Sequence, residues 1–199
     1  MSGQPGGVAG KPDAPAILLG HAEAMDSPQP RDSKVAPTHE IVVPLVIRDL
    51  EPGDLPSCAW SGAATHLTAI ALALDRARLG EVDYLAACPP SGLPVALGGI
   101  DYAKTHGAGT IWQLAVHGAL QSCGIGTILV RAAEQRIRAR GLRRAELGVE
   151  DSNQRARALY ERLGYRAFGR EPDSWDQEAP DETVTRYDTM VTLMRKDVQ

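Results

Sequence analysis

A polar, glycine-bearing turn, Gln121-Ser122-Cys123-Gly124-Ile125-Gly126-Thr127, stands between two apolar stretches and has the residue types for holding an anion. Before it, Ile111-Trp112-Gln113-Leu114-Ala115-Val116 is short and hydrophobic, as a buried strand is. After it, Ile125, Ile128, Leu129, Ala132, Ala133 and Ile137 recur at spacings of three and four, which puts them on one helix face. The turn therefore sits where a strand hands over to a helix N-terminus. Amides of a first helical turn lack intrahelical partners, and the macrodipole adds roughly half a positive charge there. Gly124 and Gly126 carry no side chain, so a phosphate or pyrophosphate can approach the backbone. Chain geometry alone also accounts for glycines in such a turn. Two familiar phosphate loops do not fit: Leu129 stands where a dinucleotide fingerprint needs its third glycine, and the Gly-Lys-Ser/Thr of a P-loop is absent.

What remains is the pattern Q/R-x-x-G-x-G/A, and a second segment follows it: Asn153-Gln154-Arg155-Ala156-Arg157-Ala158-Leu159-Tyr160-Glu161-Arg162-Leu163-Gly164-Tyr165. Together they resemble the coenzyme-A loop and the N-x-x-A-x-x-L-Y-x-x-x-G-F/Y segment of the GNAT superfamily of N-acetyltransferases. The specific part of the resemblance lies in residues 111–165, and the whole covers about residues 41–196.

The resemblance implies acetyl-CoA as co-substrate and assigns roles by position. Main-chain groups of Leu114, Ala115 and Val116 match the segment that binds the pantetheine arm. Gln121, Ser122, Cys123, Gly124, Ile125, Gly126 and Thr127 match the pyrophosphate loop, with Ser122 and Cys123 where basic residues are common. Asn153 matches the asparagine near the pantetheine, and helix capping is its other reading. Tyr160 matches the tyrosine that protonates the departing thiolate, with a core aromatic as the alternative. A phenol of ordinary pKa near 10 is protonated at neutral pH, so it can donate without special tuning. The implied chemistry is direct attack of a neutral amine on the thioester, with backbone amides stabilising the oxyanion. Trp112 and Gln113 occupy the neighbourhood of the family's usual base. Glu150, Asp151 and His117 are the nearest acid or imidazole groups, Glu150 being placed first, and a water chain is the alternative.

The family's last two strands are joined by a connection that borders the acceptor pocket. Here that stretch carries Glu171, Asp173, Asp176, Glu178, Asp181 and Glu182, with Trp175 among them and no basic residue. Read as an acidic loop, it would attract a cationic small molecule or peptide amine through Asp173 and Asp176, with Trp175 covering its apolar part. A solvated loop that keeps the chain soluble is the bland reading.

The elements that must position these groups follow from periodicity and turn chemistry. A strand over residues 41–48, interrupted by Pro44, opens the domain. Asp54 is a cap for the Ala- and Leu-rich helical stretch that follows, residues 55–79, which breaks near Ser61-Gly62. Strands over residues 82–88 and 95–102 form a hairpin across Pro89-Pro90-Ser91-Gly92. The strand at 111–116, the long helix stopped at Gly141, a strand around Ala145 to Val149 and a short helix bearing Tyr160 come next. A strand over 165–169, the acidic loop and a last strand over 185–194 complete the order. These elements predict an α/β (α+β) fold, a GNAT-like mixed, mostly antiparallel sheet with helices on both faces. Residues 1–40, rich in Gly, Pro, Ala and Ser without sustained periodicity, read as a disordered tail before a domain at 41–199.

Composition bounds the partners. The 199 residues are 43% hydrophobic with a net charge of −4, ordinary for one globular domain. Cys58, Cys88 and Cys123 lack C-x-x-C spacing, which argues against disulfides or zinc and for a reducing, cytoplasmic compartment. No metal is expected. Residues 124–170 carry eleven arginines against five acids, a basic half that coincides with the polyphosphate turn. The acidic overall balance and the lack of aromatic-interleaved basic patches argue against nucleic acid. No apolar run reaches the roughly 20 residues of a membrane span. The expected partners are acetyl-CoA and an amine acceptor, with a homodimer left open. A non-catalytic acyl-CoA sensor or an interaction module is the alternative, and the first of these has no need of a thiolate acid at Tyr160.

Overall fold

The computed structural model describes residues 41–178 and 183–199. The expected tail over residues 1–40 falls outside the described residues, as do Asp181 and Glu182 of the acidic stretch.

Alternation of side chains across one sheet organises the fold. The strands are β1 (Val46–Asp49), β2 (Val82–Cys88), β3 (Ala96–Asp101), β4 (Ala108–Val116), β5 (Arg144–Glu150), β6 (Arg166–Glu178) and β7 (Val184–Asp197). They lie in the order β1-β2-β3-β4-β5-β7-β6. Only β4 and β5 run parallel; every other neighbouring pair is antiparallel. In β2 the two faces separate cleanly. Leu85 and Ala87 join the core built on α2 (Ile125–Ala139) and α3 (Gln154–Arg162). Tyr84, Ala86 and Cys88 join a second core with α1 (Ala64–Arg78) and the 3-10 segment Pro52–Ser61. Helices thus cover both faces, as the element order predicts.

Several boundaries differ from expectation, each for a physical reason. The first strand begins at Val46 rather than 41, because its partner β2 ends at Cys88 and residues before Val46 have nothing to pair with. Asp54 is not the helix cap. It sits one turn in, where its carboxylate accepts from the Glu51 amide (2.9 Å) and pairs with Arg48. On α2, Ile125, Leu129, Ala133 and Ile137 are buried, but Ile128 is exposed. The fourth-residue stripe carries the packing, and Val130 and Glu134 widen it on the other side.

The largest correction concerns the acidic stretch. Residues 171–178 are not a loop but the second half of β6, in register with β7 from Arg166↔Arg195 to Glu178↔Val184. Acids and Pro172 are poor strand formers, which hides the strand from sequence. An edge strand tolerates both, because its outer backbone groups need no ladder partner.

Candidate acetyl-transfer site

The site begins where the parallel pair comes apart. β4 and β5 are in register only from Ala108↔Arg144 to Ile111↔Leu147. Beyond that point β5 stays with β7 and β4 stays with β3, so among the described residues no strand pairs with the β5-facing edge of residues 112–116. A bulge accompanies the separation. The β3–β4 register shifts between Leu97 and Gly99, and Gln113 has a φ of 52°. Left-handed backbone at a non-glycine residue is strained. It is held in part by Tyr84, whose hydroxyl donates to Gln113 Oε1 at 3.1 Å.

The wedge so formed is a cleft of about 1200 Å³. Its walls come from β4 (Thr110 to Leu114), β5 (Glu146 to Glu150), α3 (Ala156, Tyr160), β6 (Glu171 to Asp176) and the start of α1 (Ala63 to Ala69). It gathers Leu114, Glu150, Asn153, Tyr160, Asp173, Trp175 and Asp176 from the expected set. Ala115, Val116 and residues 121–127 are not part of its lining. The turn packs beside it, with Gln121 Nε2 donating to the Val116 carbonyl (3.2 Å) and Gly126 close to Leu159 and Val116.

The turn has the form an anion needs. Gly124 is the N-cap of α2 with a φ of 84°, and no side chain caps the helix. The first-turn amides are therefore left to a ligand or water. Ser122 also has positive φ, 68°. Turns that contain left-handed residues can form concave arrays of amides that receive anions. Pyrophosphate fits these residues.

Asn153 combines both of its readings. Its Oδ1 accepts from the Ala156 amide (3.0 Å), capping α3, and the residue lines the cleft. Tyr160 is 8% exposed, edge-on to Tyr165 with ring centroids 6.0 Å apart. Desolvation pushes its phenol up to about 12. Burial opposes the phenolate, so the group remains a proton donor at any physiological pH.

Among the acids weighed as bases, the structure separates Glu150 from the rest. Glu150 lines the cleft and accepts from Ser152 Oγ (3.4 Å) and Tyr187 Oη (3.3 Å). Asp151 is committed elsewhere, to Arg170 and to Thr192 Oγ1 (2.6 Å). His117 Nδ1 accepts from the Ala119 amide (3.3 Å), and its ring meets Trp60 edge-on. Both are structural anchors.

On the β6 side, Asp176 is paired with Arg186 at 3.3 Å, which compensates its charge. Asp173 has no such cation among the described residues; one oxygen accepts from the neighbouring Ser174 amide. Trp175 packs on Tyr187 with ring centroids 5.0 Å apart.

Two residues, Glu146 and His66, escape sequence reasoning. Glu146 lines the cleft from β5, and Glu171, the first acid of the acidic stretch, lines it from β6. His66 lines it from α1, packed against Gly62, where a Cβ would stand 2.7 Å from the imidazole Cδ2. Desolvation lowers the His66 pKa from the ordinary 6.5, so the ring is neutral at pH 7. Nothing in a Thr-His-Leu triplet within an amphipathic helix signals this placement.

Comparison with known proteins agrees with the geometry. Residues 61–165 match the family model described as the acetyltransferase (GNAT) family. Over 176 residues the chain is 31% identical to a mycothiol acetyltransferase of Thermomonospora curvata, covering 78% of this chain and 58% of that protein. A mycothiol acetyltransferase of Beutenbergia cavernae is 47% identical over 57 residues, 29% of this chain and 19% of that one. The chain thus spans little more than half, or less, of the curated relatives it matches. The ribosomal-protein-S18-alanine N-acetyltransferase of Escherichia coli superposes with a TM-score of 0.60 at 19% identity, covering 78% of this chain and 94% of that one. Spermidine N-acetyltransferase of Vibrio cholerae, solved with CoA and spermine, gives 0.58 at 17% identity, covering 77% and 95%. A parted parallel strand pair, an uncapped glycine turn at the next helix and a tyrosine on the helix after it are explained together by one conclusion: this chain belongs to the GNAT acetyltransferase family.

Proposed function

We propose that the protein is an N-acetyltransferase that moves the acetyl group of acetyl-CoA to the amine of a cationic acceptor. The observation that carries this reading is the wedge between β4 and β5. It offers unpaired main chain beside an anion-receiving turn, and opens onto a rim bearing Glu171 and Asp173.

Acetyl-CoA supplies the activated acetyl group. The turn amides of residues 122–127 hold the pyrophosphate, and the free edge of Leu114, Ala115 and Val116 takes the pantetheine amides. An amide on the same edge is available to the oxyanion. Glu150 takes the proton that the acceptor ammonium must lose before attack, and Tyr160 gives one to the departing thiolate. Glu171 and Asp173 draw a positively charged amine toward the cleft, and Trp175 covers its apolar part.

Thiol release from acetyl-CoA with cationic, neutral and anionic amines tests this. A polyamine, aminoglycoside-like or basic peptide amine is expected to lead. The pair Glu171→Gln and Asp173→Asn should raise the cationic acceptor's KM by roughly threefold to tenfold at low salt, and less at high salt. Kinetics indifferent to both the substitutions and salt would dispose of cation selection. Tight CoA binding without thiol release for any amine would favour an acyl-CoA sensor.

A further inference from the structure

We infer that Arg155, on the first turn of α3, is a phosphate-binding residue that replaces from another element the positive charge missing from the turn itself. This rests on the coenzyme site proposed above. Residues 121–127 and the first turn of α2 carry no charged side chain. Arg155 reaches the turn from 33 residues away in sequence. Its Nη1 donates to Gln121 Oε1 at 2.9 Å and its Nη2 to Ser122 Oγ at 2.8 Å.

Two features make this more than a surface hydrogen bond. First, both acceptors are neutral, and among the described residues no carboxylate pairs with Arg155. Its neighbour Arg157, by contrast, is committed to Glu161 at 3.0 Å. A guanidinium is thus fixed at the turn with its charge uncompensated and three of its five donors still available. Second, the residue it grips, Ser122, is one of only two non-glycine residues with positive φ among those described. Holding the Ser122 hydroxyl helps keep that strained backbone, on which the arrangement of the turn amides depends. Arg155 therefore serves the anion twice: directly through its remaining donors, and indirectly by preorganising the amide cradle. Guanidinium is suited to this, since its planar fork braces two oxygens with two N–H groups and keeps three more in fixed geometry for a phosphate, whereas an ammonium has one donor left on a rotating centre.

Calorimetric binding of CoA, dephospho-CoA and pantetheine to Arg155→Gln, Arg155→Lys and Gly126→Asp decides the matter without turnover. Gly126 is used rather than Gly124 because its backbone is not left-handed and a Cβ there makes ordinary contacts with Leu159 and Val116. Arg155→Gln should weaken CoA and dephospho-CoA by roughly tenfold or more, flatten the salt dependence, and leave the weak binding of pantetheine unchanged. Arg155→Lys should fall between, keeping charge but losing the fork. Wild-type CoA affinity in Arg155→Gln, with affinity lost in Gly126→Asp, would overturn the role of Arg155 and spare the turn. Equal weakening of pantetheine and CoA would show that Arg155 acts on the fold, and would also overturn it. Unchanged affinity in both Arg155→Gln and Gly126→Asp would remove the pyrophosphate assignment itself.

Discussion

Replacing Tyr160 by Phe isolates one oxygen atom in a largely buried ring. The ring is 8% exposed and packs edge-on against Tyr165 at 6.0 Å, contacts that the Phe variant retains. Its stability should therefore stay within about 0.5 kcal/mol of the parent, as for changes that neither open a cavity nor orphan a partner. What disappears is a proton donor. General-acid contributions start at about 10²-fold, so the variant's kcat should fall by that much, about 2.7 kcal/mol of barrier. Because the proton moves only in the transition state, kcat/KM should fall equally and the CoA dissociation constant should not change. The pH profile gives a second arm. With the phenol at about 12, only about 1% is ionised at pH 10, so Tyr160 contributes no alkaline fall in kcat below that pH. Steady-state thiol release from pH 6 to 10, with CoA titration of both proteins, measures all of this. Equal turnover in the two proteins would return Tyr160 to the core. An alkaline limb near pH 9 present only in the parent would refute the burial argument.

Two predictions concern stability. Lys196 Nζ bonds both oxygens of Glu134 (2.8 and 2.9 Å), a carboxylate only 4% exposed, so Lys196→Met strands a buried charge and should cost about 3 kcal/mol. Urea unfolding reads this as a midpoint lower by about 1.5 M, given an m of about 2 kcal/mol/M. Adding Glu134→Leu should recover most of it, and a midpoint shift below about 0.3 M in the single variant would show the pair to be dispensable. The hydrogen bond from Arg48 holds the Asp54 carboxyl below its ordinary 3.8. A lowered folded pKa means the unfolded chain binds more protons, so this stabilisation is present above pH 3.8 and is lost as pH falls through the folded value. The stability gap between the parent and Asp54→Asn should therefore be full at pH 6 and shrink below pH 4; a gap constant down to pH 2.5 would contradict the pairing.

Local signals carried much of the architecture. The element order, the two-helix stretch broken at Gly62, the hairpin at Pro89-Pro90 and the Asn153 cap are all legible because each depends on residues a few positions apart. The glycine turn and the segment bearing Tyr160 are legible for the same reason. What depended on tertiary structure was everything that joins distant segments. The parting of β4 from β5 follows from where each strand finds another partner, and the Gln113 bulge from register with β3; neither leaves a mark in residue type. The acidic stretch is a strand because β7 lies alongside it at a sheet edge, a pairing that overrides its poor propensity. Glu150, Asp151 and His117 are equivalent as letters, and only their hydrogen-bond partners leave Glu150 facing the cleft. His66 and Arg155 were silent for a similar reason. An imidazole or guanidinium on an amphipathic helix reads as surface until the fold brings a cleft wall, or a turn 33 residues away, within reach of its nitrogens.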